Sequence, residues 1–266
     1  MMPFPAICKL FVDVVVTILM WSYFTAGFLL FFAPRYGWAL LRAGDREVAF
    51  QRLNQRFFRG FIRLLRLITP GLTLRIHRDI GAIHSSVVIA NHLSYLDPLL
   101  LISLFEKQKT IVKKTFFKVP IFSYLLRQSG YIPSNNGGED KSSLLRNIED
   151  MKEYLASGGN VFIFPEGTRS RTGRLGPFNK GAFSIAYYCR APIECLLIRD
   201  TNRLFVPGRS WFNTCVSNTI EVKKIGSFVP DYGDANFRLS PLIGEIHALY
   251  EKHLRNDPMK PREGSS

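Results

Sequence analysis

The sequence predicts an α/β fold: a mostly parallel sheet flanked by helices, with an N-terminal membrane-embedded helical pair. Two observations predict it. From Leu72 onward, short apolar runs alternate with amphipathic stretches, which is typical of parallel strands joined by helical crossovers. Before Leu72, residues 14–33 and 50–68 carry two apolar patterns of helical character. A chain of 266 residues is long enough for one such domain and an appendage.

The first N-terminal segment, residues 14–33, is uncharged and apolar. As a helix it would be ~30 Å long, about the thickness of the hydrocarbon core of a bilayer. We interpret it as a retained anchor, because the residues before it are barely basic and no small-x-small cleavage site follows. Arg35, Arg42 and Arg46 follow the segment, so the positive-inside rule predicts that the rest of the chain is cytoplasmic. The alternative is a buried core helix.

The second segment, residues 50–68, has arginines on one side and phenylalanine and leucine on the other. The arginines fall within an arc of about 80° at 3.6 residues per turn. This pattern suits a helix in the headgroup layer, and it equally suits a helix packed on the domain core with its arginines in water. The anchor upstream favours the membrane. The five arginines are Arg52, Arg56, Arg59, Arg63 and Arg66.

The composition is both apolar, with 47% hydrophobic residues, and basic, with a net charge of +14. Such a charge is compatible with nucleic acid or with anionic lipid. We expect membrane lipids as partners and no nucleic acid, because the basic face lies opposite a lipid-compatible face and no nucleic-acid module is recognisable. The four cysteines form no C-x-x-C pair, which favours a reducing compartment over a disulfide framework or zinc site.

The pattern of apolar runs divides the chain into three parts. Residues 1–70 hold the anchor and the basic amphipathic helix, residues 71–255 form the α/β domain, and residues 256–266 are a polar tail predicted to be disordered. Within the domain, the predicted strands are 72–77, 86–90, 110–112, 131–133, 160–164 and 193–198. The predicted helices are 97–105, 142–156 and 178–189.

The first chemistry-bearing stretch is NHLSYLDP, residues 91–98, which follows an apolar strand. A neutral imidazole at His92 is a base, and the carboxylate of Asp97 on its other nitrogen would fix the tautomer and stabilise the imidazolium. In the alternative interpretation, Asp97 is the N-cap of a helix that begins at Pro98, and His92 is an ordinary loop histidine. No G-x-S-x-G nucleophile motif is present, so the attacking hydroxyl would belong to a substrate.

The second stretch is FPEGTRS, residues 164–170, at the end of another buried strand. Glu166 and Arg169 emerge where open α/β sheets bind ligands, and the guanidinium fork fits a phosphate. Gly167 allows close backbone approach and Thr168 offers a hydroxyl. A solvated basic loop would account for the arginines, but it explains Glu166 poorly, because a carboxylate directly after an apolar strand is costly unless it is paired.

Together these stretches resemble the glycerolipid and lysophospholipid acyltransferases, of which the 1-acylglycerol-3-phosphate O-acyltransferases form phosphatidate. The family's N-H-x-x-x-x-D stands here as NHLSYLD, and its F-P-E-G-T-R-S is matched without a difference. Between them, KKTFFKVPIFSYLLRQSGYI is similar to the K-x-x-L-x-x-I-P-x-F-G segment, and API at 191–193 resembles the last signature. The resemblance runs from about residue 72 to 198, and the family's N-terminal membrane-embedded helical pair would correspond to the two segments above.

The resemblance implies an O-acyltransferase domain in which His92 is the general base on the acceptor hydroxyl and Asp97 orients it. The acyl donor is expected to be acyl-CoA or acyl-carrier protein, a co-substrate, and no cofactor is expected. A metal site on the motif histidine and carboxylates lacks a typical ligand spacing. The candidate substrate-binding residues are Arg169 for the acceptor phosphate, Glu166, Gly167 and Thr168 beside it, and Lys113 for the oxyanion or the phosphate.

One departure bears on the acceptor. Many phosphatidate-forming members end their second signature in arginine, a further phosphate ligand, whereas this chain has Ser134 there. The expected acceptor is 1-acylglycerol-3-phosphate, and a lysolipid with another headgroup is an alternative. An acyl thioesterase or lipase that uses water with the same base is a second alternative, and a lipid-binding scaffold would not need His92, Asp97 and Glu166 together.

Overall fold

A computed structural model of the protein describes residues 6–134 and 141–255. The predicted disordered tail, residues 256–266, lies outside the described residues. In the described part of the chain, seven strands form one sheet in the order β1-β7-β6-β2-β5-β3-β4. The strands are β1 Leu72–Ile76, β2 Val87–Ala90, β3 Gln108–Lys113, β4 Ile132–Ser134, β5 Asn160–Ile163, β6 Ile193–Arg199 and β7 Asn218–Phe228.

The predicted mostly parallel sheet is confirmed. β6 and β7 pair antiparallel, and the other neighbouring strands pair parallel. The helices are α1 Ala6–Ser22, α2 Ala33–Arg42, α3 Arg46–Ile68, α4 Leu96–Leu104, α5 Pro120–Gln128, α6 Lys141–Ala156, α7 Lys180–Cys189, α8 Thr201–Leu204 and α9 Leu239–Arg255. A π-helical segment, Tyr23–Phe32, joins α1 to α2, and short 3₁₀ helices span Arg78–Ala82 and Lys114–Lys118.

The predicted elements miss β7, α2, α5, α8 and α9. β7 contains two lysines and a glycine among its apolar residues, so its sequence does not form a continuous apolar run. Its antiparallel pairing with β6 and its half-buried residues explain this pattern, because such a strand needs only one covered face. α9 lies against the sheet, where the hydroxyl of buried Tyr250 donates to the carbonyls of Ile89 (2.7 Å) and Leu196 (3.0 Å).

Two hydrophobic clusters lie on the two faces of the sheet. One contains residues of α3 and α4, and the other contains residues of α7 and α9. The central strand β2 contributes to both: Val88 packs with the first cluster and Ile89 with the second, and both side chains are fully buried. Burial on both faces explains why the strand is a continuous apolar run.

The N-terminal residues form a helical hairpin. Among the described helices, one continuous helix, Ile7–Arg42, is long and apolar enough to cross a membrane. It folds back on α3, and the ring of Phe57 contacts the rings of Tyr23, Phe28 and Phe32. At the turn of the hairpin, the carboxylate of Asp45 caps α3 by accepting from the Val48 N–H at 2.9 Å.

The membrane interpretation of the apolar face of α3 is wrong. The side chains of Phe58, Phe61 and Leu65 are buried in the cluster that also contains Leu100 and Leu101 of α4. The alternative of a helix packed on the domain core therefore holds, because α4 covers the face that was expected to meet lipid. The opposite face remains in solvent, where Arg52, Arg56, Arg63 and Arg66 are exposed and Arg59 is half-buried.

α1 is tied to the loop that follows α8. The buried carboxylate of Asp13 accepts from the backbone N–H (2.7 Å) and hydroxyl (2.6 Å) of Thr214, and Lys9 pairs with Asp13. One turn later, the Thr17 hydroxyl accepts from the Phe212 N–H at 3.1 Å. These contacts fix the start of the long helix against the sheet domain.

Candidate active site

The site lies at the edge of the sheet where β2, β3 and β5 end. Parallel register aligns Ile89 of β2 with Ile163 of β5, and Thr110 of β3 with Phe162 of β5. Because parallel strands end at the same edge, the loop after β2 with His92, the loop after β5 with Glu166, and Lys113 share this edge.

The loop after β2 begins with a fixed side chain. Asn91 is buried, its amide Nδ2 donates to the carbonyl of Ile198 (2.9 Å), and its Oδ1 accepts from the Ile198 N–H (2.8 Å). This two-way pairing holds the loop to the end of β6. The position of the next residue, His92, is therefore set by the sheet and does not depend on the loop alone.

His92 and Asp97 form a hydrogen-bonded pair. Nδ1 of His92 lies 2.9 Å from Oδ2 of Asp97, and the same oxygen accepts from the N–H groups of Leu93 (2.5 Å) and Ser94 (2.7 Å). The expected contact between the two motif residues is thus confirmed. The N-cap interpretation is wrong, because α4 begins at Leu96 and the Asp97 carboxylate faces back toward the loop instead of capping the helix.

A further partner of Asp97 is absent from the sequence predictions. The hydroxyl of Thr201, at the start of α8, donates to Oδ1 of Asp97 at 2.5 Å, and both residues are completely buried. Asp97 thus receives four hydrogen bonds, which fix the position and orientation of its carboxylate. The signal in the sequence is a hydroxyl residue just after β6, a strand that neighbours β2 and also ends at this edge.

The arrangement leaves one nitrogen of His92 available for chemistry. Since Nδ1 faces a carboxylate oxygen, Nδ1 carries the proton and Nε2 carries the lone pair. The ring stacks on Phe164, with centroids 4.3 Å apart and an interplanar angle of 22°. The side chain is 16% exposed, so the imidazole is held on one face and reachable on the other.

Glu166 links the two loops. Its Oε1 accepts from the His92 N–H and its Oε2 from the Gly176 N–H, both at 2.9 Å. Burial raises the pKa of Glu166, and the two backbone hydrogen bonds oppose that rise. These two hydrogen bonds offset the desolvation cost of placing a carboxylate directly after a buried strand. Because both oxygens are engaged by the backbone, Glu166 shapes the site by holding the loops together.

The loop after β5 turns sharply at Gly167. Its φ is +69°, a conformation that favours glycine, and an added Cβ would lie 3.0 Å from Nδ2 of Asn179. Thr168, the next residue, is exposed at the rim of the site. The turn therefore presents the residues that follow Glu166 to solvent.

Arg169 lies against the loop after β2. Its guanidinium sits over the ring of Tyr95, 3.9 Å from the centroid. Its Nη1 is buried and has no hydrogen-bond partner among the described residues. A buried guanidinium donor of this kind is chemically suited to an anionic ligand. Lys113 is exposed at the end of β3.

Within residues 6–134 and 141–255, no three His, Cys, Asp or Glu side chains are grouped as metal ligands. The oxygens of Asp97 and Glu166 instead accept from N–H and O–H donors. The two carboxylates thus hold the loops of the site through hydrogen bonds.

The comparison with protein families bears on the same part of the chain. The sequence profile of the Acyltransferase family matches residues 72–199, which include β1 to β6 and both site loops. Residues 72–199 therefore form a domain of the acyltransferase family. Every residue predicted for the site falls inside the matched acyltransferase region.

Individual relatives carry more specific names. The 1-acyl-sn-glycerol-3-phosphate acyltransferase BAT2 of Brassica napus is 36% identical over 122 residues, which cover 46% of this chain and 35% of that protein. The enzyme of the same name from Cocos nucifera is 32% identical over 177 residues, 64% of this chain and 54% of that protein. The acyltransferase chain thus spans about a third to a half of the length of these relatives.

A solved structure shares the fold. The crystal structure of the 1-acyl-sn-glycerophosphate acyltransferase PlsC from Thermotoga maritima superposes with a TM-score of 0.68 at 20% sequence identity. The match covers 96% of this chain and 99% of the other. At this identity the similarity establishes the fold, and it includes the N-terminal helices as well as the acyltransferase sheet.

Proposed function

We propose that the protein is a membrane-bound O-acyltransferase. It moves an acyl chain from acyl-CoA or acyl-carrier protein to the free hydroxyl of a lysophospholipid, with 1-acylglycerol-3-phosphate as the acceptor and phosphatidate as the product. The observation that carries the proposal is the 2.9 Å pair of His92 Nδ1 and Asp97, which leaves Nε2 as a base at the ligand-binding edge of the sheet. The names of the relatives support the choice of acceptor.

The reaction needs one proton carrier. Nε2 of His92 takes the proton of the acceptor hydroxyl while the oxygen attacks the thioester carbonyl, and Asp97 stabilises the imidazolium that forms. Collapse of the tetrahedral intermediate breaks the C–S bond, and the Nε2 proton passes to the leaving thiolate. The products are the ester and the free thiol, and His92 returns to its starting form.

The acceptor phosphate has two cations available. Arg169 presents a buried guanidinium nitrogen beside Tyr95. Lys113 pairs in register with Ser134 on the neighbouring strand β4, and paired residues of parallel strands point to the same side of the sheet. Lys113 therefore provides a positive charge next to the position where an arginine was expected, which favours a phosphate headgroup despite Ser134.

Membrane binding is assigned to the long N-terminal helix. One side packs on α3, whereas the other exposes a row of large apolar side chains, an arrangement typical of a lipid contact. The sheet domain is placed on the cytoplasmic side, from the arginines that follow the apolar segment. The most exposed members of the row are Ile7, Leu10, Phe11, Ile18, Leu29, Leu30, Phe31, Trp38 and Leu41.

A thiol-release assay with the full chain tests the proposal. Acyl-CoA and acyl-carrier protein are each supplied with a panel of lysolipids that differ in headgroup, and without any acceptor. We expect thiol release that requires a lysolipid and is fastest with 1-acylglycerol-3-phosphate. Release at the same rate without an acceptor would establish the thioesterase alternative. A preference for an uncharged or zwitterionic headgroup would overturn the assignment of the acceptor.

A further inference from the structure

A second concave surface lies between α2 and the first half of α3. It has a volume of about 790 Å³ and is formed where the long helix turns back at the end of the hairpin. Small side chains create this space. Ala39, Ala43 and Ala49 line the groove on the two sides of the turn, together with the buried side chain of Leu53. We call this surface the α2–α3 groove, and its lining residues do not include any residue of the candidate active site.

The α2–α3 groove is strongly positive. Its lining includes the guanidinium groups of Arg35, Arg42, Arg52 and Arg56, and among the lining residues none is acidic. Like charges gathered on one surface repel one another, and a bound anion relieves this repulsion. The concentration of guanidinium groups therefore points to an anionic ligand, because a phosphate accepts two parallel hydrogen bonds from a guanidinium fork.

The acidic residues near the groove are engaged elsewhere. Asp45 accepts from the Val48 N–H at the start of α3. Glu47 pairs with Lys109 at 2.8 Å. Glu106 approaches only Arg52, at 3.9 Å, and both side chains of that pair are more than half exposed, so solvent weakens the attraction. Among the residues that the structure describes, no acidic side chain pairs with the other three arginines, and Arg42 lies over the ring of Trp38, 4.9 Å from its centroid.

The same groove has an apolar side. Leu30, Phe31 and Trp38 line it and are at least 60% exposed. They continue into the apolar row on the outer side of the long helix, which is the surface assigned to the membrane. A free phosphate would not use these side chains, whereas a phospholipid has an anionic head for the arginines and acyl chains for the apolar row.

We propose that the α2–α3 groove binds one anionic phospholipid of the bilayer. The phosphate lies among the arginines, and the acyl chains lie along Leu30, Phe31 and Trp38. The site is separate from the candidate active site and does not depend on acyl transfer. A lipid held here, at the tip of the hairpin, would fix how the helices and the sheet domain meet the membrane surface.

Vesicle binding of the full chain tests the charge requirement. Vesicles of phosphatidylcholine, with and without phosphatidylglycerol, are compared for the wild type, for Arg42→Gln/Arg56→Gln, and for Arg63→Gln/Arg66→Gln. The second pair is the control, since it removes two exposed arginines of α3 that do not line the groove. The preference for phosphatidylglycerol should fall about tenfold in the groove variant and by less than about twofold in the control. Equal losses of this preference in the two variants would mean that the arginines attract anionic vesicles only through their total charge, which would overturn the proposal.

Trp38 provides a direct readout of occupancy. In a Trp21→Phe/Trp211→Phe background Trp38 is the remaining tryptophan of the three in the sequence, and its fluorescence is titrated with short-chain phosphatidylglycerol, short-chain phosphatidylcholine or inorganic phosphate. We expect a saturable change with phosphatidylglycerol that weakens about tenfold after Arg42→Gln/Arg56→Gln. An equal response to phosphatidylcholine would mean that the groove does not select an anionic headgroup. An equal response to inorganic phosphate would mean that the groove does not recognise the lipid part. Either result would overturn the proposal. Vesicle binding and Trp38 fluorescence do not require acyl transfer, so both measurements would be unchanged if the proposed acyltransferase activity were not found.

Discussion

The two loops that build the site differ in how tightly they are held. After β2, Asp97 in the first turn of α4 is completely buried, receives four hydrogen bonds and fixes His92 in the loop before it. In the loop after β5, Thr168 is exposed and Arg169 has a guanidinium nitrogen without a partner in the described structure. A base needs one fixed geometry to transfer a proton, whereas a phosphate-binding loop needs donors that are still available.

Glu166 joins the loop after β2, which is the rigid loop, to the loop after β5, whose donors are still available. Its carboxylate accepts from the His92 N–H on one side and from the Gly176 N–H on the other. The carbonyl of His92 in turn accepts from the Ser170 N–H at 2.9 Å. The comparison thus predicts that changes in the first loop affect the chemical step, and that changes in the second loop affect acceptor binding.

The largest effect is expected for His92→Ala. Removing the base should lower acyl transfer by about 10²- to 10⁴-fold, the range that general base catalysis contributes. Thermal unfolding should change little, since the backbone bond to Glu166 does not need the imidazole. His77→Ala, which changes an exposed histidine paired with Glu221, is the control and should keep wild-type activity. Near-normal turnover in His92→Ala would refute the role of the rigid loop.

A smaller and different effect is expected for Arg169→Ala. Loss of a charged hydrogen-bond donor to the acceptor phosphate should raise the apparent KM for 1-acylglycerol-3-phosphate about 10- to 100-fold. The apparent KM for the acyl donor should be nearly unchanged. Arg171→Ala, in the exposed part of the same loop, is the matched control. Equal effects of Arg169→Ala on acceptor and donor would remove the assigned role in acceptor binding.

Thr201→Val should have a modest effect on the chemical step. Valine keeps the shape but removes the hydroxyl that donates to Asp97, so the orientation of the carboxylate loosens and kcat should fall about fivefold to tenfold. KM for the acceptor should stay within about twofold. Thr201→Ser, which restores a hydroxyl, should recover most of kcat. If serine fails to recover activity while unfolding temperatures match the wild type, Thr201 does not act through Asp97.

The smallest effect concerns stability and pH. Because burial raises the pKa of Glu166, the folded state binds its proton more tightly than the unfolded state does. Its contribution to stability is therefore full below the unfolded pKa and declines as the pH rises through the folded pKa. Relative to Glu166→Gln, the wild type should become less stable as the pH is raised from about 4 to 7. Thermal unfolding of both proteins in the same detergent tests this, and a pH-independent difference would contradict it.

Local patterns predicted much of the site. His92, in the loop after β2, and Asp97, in the first turn of α4, are five residues apart, so their contact needs only a local turn, and the motif predicted it. Glu166 was predicted as a site residue because a carboxylate directly after a buried strand requires a partner. Its actual partners, the N–H groups of His92 and Gly176, could not be predicted, because they depend on β2 and β5 being neighbours.

Two other features could not be predicted from local patterns, because they also depend on which strands and helices are neighbours in the fold. Thr201 is 104 residues from Asp97 in the chain, and they meet because β6 lies next to β2. The amphipathic pattern of α3 gives two faces but does not say whether lipid or protein covers the apolar one. The packing of α4 and of the long N-terminal helix on that face decides it.

By itself, the sequence determined the parallel sheet, the two site loops at its edge and the hydrogen-bonded pair of His92 and Asp97. These depend on periodicity and on short spacings, which act within a few residues. Only the tertiary structure decided that the apolar face of α3 is buried in protein, that Thr201 holds Asp97, and that four arginines gather in the α2–α3 groove. The physical reason is strand order and helix packing, which bring together residues whose separation along the chain carries no local signal.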